Sequence, residues 1–145
     1  MVLITGRFIS IFLVLYSSTK IAYGVKARMN SSKHALIGAG VGFENYITYK
    51  KLKKEPVSLE GAILSLVGGA FLGLLPDILE PATNPDHRGF FHSTGLLLLI
   101  GYFNIKAYQN KDLTDIQKFI LSLISGSYSS HLIADSQTKK SLPLL

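Results

Sequence analysis

The chain carries four histidines, and each lies at a spacing from a carboxylate or another polar group that suits a metal ligand. His87 and His92 share one short run, Leu75-Pro76-Asp77-Ile78-Leu79-Glu80-Pro81-Ala82-Thr83-Asn84-Pro85-Asp86-His87-Arg88-Gly89-Phe90-Phe91-His92-Ser93. His131 and Asp135 lie four residues apart. On a helix that spacing puts both side chains on one face, where they can chelate a single ion. His34 opens the first long apolar segment. Gly89 lets the backbone turn between His87 and His92 so that both rings face one point. Each feature alone has a plainer account: an i,i+4 ion pair for His131 and Asp135, a helix-end carboxylate for Asp77, a satisfied hydrogen bond for a lone histidine. Together His34, Asp77, His87, His92, His131 and Asp135 offer six ligands, enough for one ion with an open position or for two. Imidazole and carboxylate are the ligands of zinc in the first place and of manganese as the alternative.

The rest of the composition narrows the setting. The chain has 145 residues, enough for one domain, and no cysteine, so any metal rests on nitrogen and oxygen. Hydrophobic residues make up 48% and charged residues 17%, against about a quarter charged in soluble proteins. Mean hydropathy is +0.32. This is the balance of a membrane-associated chain. The net charge of +6 is not spread like a nucleic-acid surface. Lys20, Lys26, Arg28 and Lys33 precede the first apolar segment, Lys50, Lys51, Lys53 and Lys54 separate two of them, and Lys139 and Lys140 follow the last. Basic loops beside apolar spans follow the positive-inside rule. No nucleic-acid motif is present, and no nucleic-acid partner is expected.

The elements that must position these ligands are helices. Residues 1–28 contain the apolar run Phe8-Ile9-Ser10-Ile11-Phe12-Leu13-Val14-Leu15-Tyr16 behind Arg7. They read as a signal sequence, as a short anchor, or as a stretch preceding a true start at Met29. Residues 33 to about 50 read as helix, with Asn30-Ser31-Ser32 as its cap and a Gly38/Gly42 GxxxG pair. Pro56 to Leu75 is the clearest membrane span, with Pro56 in its first turn, Glu60 at the interface and a second GxxxG pair at Gly69 and Gly73. Pro76, Pro81, Pro85 and Gly89 make residues 76–89 a loop. Phe90 to about Tyr108 returns to helix, and Thr114 with Gln117 forms a capping box opening a last helix to about Asp135. The expected fold is all-α: a small membrane-embedded bundle of four helices, five if the N-terminal hydrophobic segment joins it.

The elements Lys33-His34-Ala35-Leu36-Ile37-Gly38, Gly73-Leu74-Leu75-Pro76-Asp77-Ile78, Pro81, His87-Arg88-Gly89-Phe90-Phe91-His92-Ser93 and Ser130-His131-Leu132-Ile133-Ala134-Asp135 with Thr138 follow one another in a specific order. In this order they resemble the YdjM-like family of membrane-bound metal-dependent hydrolases, over residues 29–145. The ligand order is also similar, more distantly, to zinc-dependent phospholipase C and the zinc-dependent single-strand nucleases. The resemblance implies a multi-pass bacterial inner-membrane protein. It also implies hydrolysis by metal-activated water at a phosphoester or other ester, the substrate being an unidentified small molecule or a lipid. Asp86 or Glu80 would then serve as general base or orient a ligand imidazole. Arg88 would neutralise charge on a phosphoryl oxygen, or else pair with Asp86 or Asp77. Ser93 reads as a helix-start cap or a donor behind the ligands. One place departs from the family: many members carry a second Asp two residues after the first, where this chain has Leu79 followed by Glu80, so that Glu80 takes the place of that ligand or the second metal position is weaker.

Two other functions fit the same residues. A structural metal, or a polar cluster alone, would pin the helix ends of a non-enzymatic membrane protein. Metal transport is the third, although the ligands fall at helix ends and loops and not along a pathway.

Overall fold

A computed structural model describes residues 29–81, 88–138 and 141–145. The N-terminal segment 1–28, read above as a signal, an anchor or an untranslated stretch, lies outside them. The described residues form four helices and no strand: α1 (Ser31–Lys53), α2 (Leu59–Leu79), α3 (Thr94–Gln109) and α4 (Asp115–Ser136), with a 3-10 turn at Phe90–His92 before α3.

Side chains placed just ahead of each helix start it. Asn30 accepts a hydrogen bond from the Lys33 backbone N–H at 3.1 Å. Ser58 accepts from Gly61 at 3.2 Å, and Ser93 accepts from Leu96 at 3.0 Å. Thr114 and Gln117 close the expected capping box. Each cap satisfies an otherwise orphaned donor and is worth about 1 kcal/mol. Three boundaries differ from expectation. The loop expected from residue 76 begins only after Leu79, because Pro76 falls in the last turn of α2. There its missing N–H forgoes a single bond and its fixed φ is compatible with helix. The helix expected from Phe90 begins instead at Thr94, since Ser93 is extended and caps α3 (φ −93°, ψ 152°). The first turn of α2 likewise starts at Leu59, with Ser58 as the cap and Pro56 outside the helix.

The two GxxxG pairs meet each other. A Cβ on Gly38 would collide with the Gly69 carbonyl and lie 2.9 Å from the Gly73 Cα, and one on Gly42 would collide with the Ser65 carbonyl and lie 2.9 Å from the Gly69 Cα. Residue numbers rise on α1 as they fall on α2, so the two helices run antiparallel with their backbones in direct contact. Ser122 Oγ donates to Asn45 Oδ1 at 2.8 Å, and Ser127 Oγ to the Gly38 carbonyl at 3.4 Å, which sets α4 antiparallel to α1 as well. The 3-10 turn is held to α4 by the Tyr128 hydroxyl, which donates to the Phe91 carbonyl at 2.9 Å.

The interior is small and polar, and the exterior is large and apolar. Ser65, Ser122, Ser127, Ser130, His131 and Asp135 are buried, whereas Leu64 is 72% exposed, Leu98 70% and Phe103 60%. Such a distribution places the wrong side chains against water and the right ones against lipid, where helices associate through small residues and hydrogen bonds. Among the described residues one helix, α2, is long and apolar enough to cross a membrane by itself, with a mean hydropathy of 2.0. Its 21 residues span about 31 Å, close to the roughly 30 Å thickness of a bilayer core.

Candidate metal centre

Three helices carry a stripe at four-residue spacing in which the packing residues run on into chemistry. On α1 it is His34, Gly38 and Gly42; on α2 Gly69, Gly73 and Asp77; on α4 Ser127, His131 and Asp135. Residues four apart share a face, so the contacts that bring the helices together also aim His34, Asp77, His131 and Asp135 at one point. The 3-10 turn adds His92. The N-terminal end of α1 and the C-terminal ends of α2 and α4 therefore enclose the cluster at one end of the bundle.

The atoms converge closely. His92 Nε2 lies 3.2 Å from His131 Nε2 and 3.3 Å from Asp77 Oδ1. His131 Nε2 lies 3.5 Å from Asp77 Oδ1 and 3.6 Å from Asp135 Oδ2, and His92 Nε2 lies 4.0 Å from that same Asp135 oxygen. His34 Nε2 lies 3.3 Å from Asp135 Oδ1, and its ring stacks on His131 with centroids 3.6 Å apart. Among the described residues two overlapping sets, His34 with Asp77 and His131, and His92 with His131 and Asp135, each bring their ligating atoms within 4.8 Å of one another.

A second layer fixes the rings. His131 Nδ1 is 2.7 Å from the Gly73 carbonyl, which can only accept, so Nδ1 carries the proton and Nε2 presents a lone pair to the cluster. His92 Nδ1 is 3.0 Å from Glu80 Oε2, which leaves its Nε2 in the same state. Two imidazole lone pairs and two carboxylate oxygens thus face one another with no donor of their own. Those lone pairs belong to the neutral rings: burial alone would pull the His92 ring below its ordinary pKa, yet the carboxylates of Asp77 and Glu80 and the charge of Asp135 outweigh burial and hold it above, and in its protonated form Nε2 donates to Asp77. Burial would likewise raise Glu80, but His92 and the backbone N–H groups of Phe91 and Gly89 keep it below its ordinary value.

Arg88 completes the layer. Its guanidinium lies 3.0 Å from Asp135 Oδ1 and donates to Thr138 Oγ1 at 2.9 Å and to the Ser141 carbonyl at 2.8 Å. The Asp135 oxygen that faces His131 is the other one. With neutral imidazoles, Asp77, Glu80 and Asp135 against Arg88 leave two negative charges uncompensated.

The arrangement fits a divalent cation. Zinc binds histidine nitrogen at about 2.0–2.1 Å, so neighbouring ligand atoms of a tetrahedral site lie roughly 3.3–3.4 Å apart. The separations among His92, His131 and Asp77 match that edge, and Asp135 lies slightly wider. His34 Nδ1 is buried with no hydrogen-bond partner among the described residues, the condition of a nitrogen left free for a further ion. Nitrogen and oxygen donors of this kind do not by themselves choose between zinc and manganese.

Five of the six candidate ligands, His34, Asp77, His92, His131 and Asp135, thus come together, while His87 lies outside the described residues, as does Asp86. Glu80 sits behind His92 as the orienter of its ring, one of the three roles considered for it. Arg88 pairs with Asp135 and not with Asp77, one of the two partners considered for it; the other, Asp86, lies outside the described residues. The Gly73 carbonyl was invisible as a contributor because every residue has one. Thr138 carried a signal in its place after Asp135 but none that gave it a role. Residues 29–145 match the family model described as YdjM inner membrane protein. No curated protein and no solved structure matches the chain.

Proposed function

The chain belongs to the YdjM inner membrane protein family, and from that premise we propose that it is a membrane-bound, divalent-metal-dependent hydrolase acting on a phosphoester or another ester, its substrate a small molecule or a lipid. One observation carries the reading. Ligand atoms from α2, α4 and a 3-10 turn, with His34 of α1 stacked beside them, converge in a carboxylate-rich cluster with spacings near those of a tetrahedral ion. In this reading His92, His131, Asp77 and Asp135 hold the first ion, and His34 with Asp77 and His131 offers a second position. Zinc is the proposed metal and manganese the alternative. When bound, such an ion acidifies water and polarises an ester or phosphoryl oxygen.

The chain's own residues have defined tasks. Glu80 keeps the His92 ring turned inward, the Gly73 carbonyl does the same for His131, and Arg88 holds Asp135. Asp77, at 26% side-chain exposure, is the accessible side of an otherwise buried set and the side from which substrate would approach. Asp86 is the remaining candidate for a general base. The apolar outward faces of α2, α3 and α4 support a multi-pass placement in the membrane, with the small polar interior shielded from lipid.

A second reading, a structural metal without catalysis, is favoured by the near-complete burial of His34, His92, His131 and Asp135. Metal content measured by mass spectrometry on detergent-purified protein, beside His131→Ala and Asp135→Asn, tests the site. About one or two equivalents in the wild type, lost in both variants, are expected. Hydrolysis of phosphodiester and acyl-ester substrates by the loaded protein then separates the two readings. Full metal occupancy with no turnover of any substrate class leaves the structural role.

A further inference from the structure

At the end of the bundle remote from the histidines, a cavity of about 210 Å³ opens between the last turns of α1, the end of α3 and the first turns of α4. One water needs only about 10–15 Å³ by this measure, so the space takes a polyatomic group. Its polar lining is rich in donors. Lys53 is committed to Asp115 at 2.9 Å, and the charges of that pair cancel. Lys118 has no ion-pair partner among the described residues and supplies the net positive charge of the cavity. Tyr49, Tyr108 and Thr48, each with a hydroxyl, also line it. The Tyr49 ring is fixed by packing on Phe119, with centroids 4.8 Å apart.

Beside the opening the surface is apolar: Leu52, Ile116 and Ile120 are each close to half exposed. A fixed cation and hydroxyl donors, next to an apolar flank and beneath tyrosines, are the features of a headgroup site at a bilayer interface. Lysine donors favour phosphate oxygen over a neutral headgroup.

We propose that this cavity binds the phosphodiester headgroup of an anionic membrane phospholipid, with Lys118 and the Tyr49 and Tyr108 hydroxyls on the phosphate oxygens and the acyl chains along Leu52, Ile116 and Ile120. The proposal rests on the membrane placement given above, but not on the metal or on hydrolysis.

Native mass spectrometry of the full chain in detergent tests it, with phosphatidylglycerol, phosphatidylcholine or inorganic phosphate added. The wild type retains one phosphatidylglycerol in preference to phosphatidylcholine. Lys118→Ala weakens that retention about fivefold, the effect of one lysine charge at a lipid surface. Tyr49→Phe, which keeps the ring packing and removes only the hydroxyl, also weakens it. Lys111→Ala, outside the cavity, leaves it unchanged. Equal weakening by Lys118→Ala and Lys111→Ala would show diffuse charge attraction and overturn the site, as would equal retention of both lipids. Inorganic phosphate bound without lipid would assign the cavity to a soluble ligand and overturn the lipid. Extraction of the protein from membranes by alkaline carbonate alone would instead defeat the membrane placement.

Discussion

At the scale of single residues the candidate centre depends as much on the groups behind the ligands as on the ligands. The Glu80 carboxylate accepts a hydrogen bond from His92 Nδ1 at 3.0 Å and also from the Gly89 backbone at 3.0 Å. It therefore fixes both the ring and the turn that presents it. Removal of an outer carboxylate of this kind costs about 10–100-fold in metal affinity. Glu80→Ala is expected to fall in that range by competition with a chelator while retaining the helical circular dichroism of the parent, whereas His131→Ala loses the ion altogether. Equal affinity in Glu80→Ala and the wild type would remove Glu80 from this role. The ligand types were legible in the sequence because histidine and aspartate are conspicuous among leucines. Their second layer was not. The Gly73 carbonyl has no signature, and the partner of Arg88 lies 47 positions along the chain at Asp135.

At the scale of helices, glycines two residues apart in α1 do opposite things. Gly42 abuts α2, where a Cβ would strike the Ser65 carbonyl and sit 2.9 Å from the Gly69 Cα, both backbone atoms that cannot rotate away. Gly40 faces open space, with nothing within 4 Å. Gly42→Ala is expected to destabilise by about 1–3 kcal/mol through overpacking. Gly40→Ala is expected to stabilise by about 0.5–1 kcal/mol, because alanine loses less backbone freedom on entering a helix. Thermal unfolding in one detergent, compared with the parent, reads both signs. A loss in Gly40→Ala as large as in Gly42→Ala would mean that the outer face of α1 is also packed. The sequence marked both GxxxG pairs but could not pair them with one another, nor separate Gly40 from its neighbours, since a spacing identifies a face and not what lies opposite. The same limit shifted two boundaries. Pro76 and Phe90 are locally a loop signal and a helix signal, and their outcomes were decided by the last turn of α2 and by the Ser93 cap.

At the scale of the whole molecule the two ends of the bundle arrange their charge differently. Lys50, Lys51, Lys53 and Lys54 crowd the short connection between α1 and α2, with Lys106, Lys111 and Lys118 where α3 meets α4, whereas among the described residues the opposite end holds Lys33 and Arg88, the latter tied to Asp135, and the sequence leading into α1 and out of α4 adds Lys20, Lys26, Arg28, Lys139 and Lys140. Short loops rich in lysine are retained on the cytoplasmic side of a membrane. In a membrane-spanning bundle oriented by the short four-lysine connection between α1 and α2, that end faces the cytoplasm and the histidine–aspartate centre opens on the opposite side. The chain has no cysteine, so single thiols can report on each end without further changes. Val57 lies in the loop between α1 and α2 and is half exposed, and Gln137 is exposed just beyond α4 at the metal-centre end. In intact spheroplasts a membrane-impermeant maleimide is expected to label Gln137→Cys and to spare Val57→Cys until the membrane is opened. The reverse pattern would turn the molecule over and place the centre in the cytoplasm. Labelling of both thiols before opening would mean that the bundle does not separate its two ends across the membrane at all.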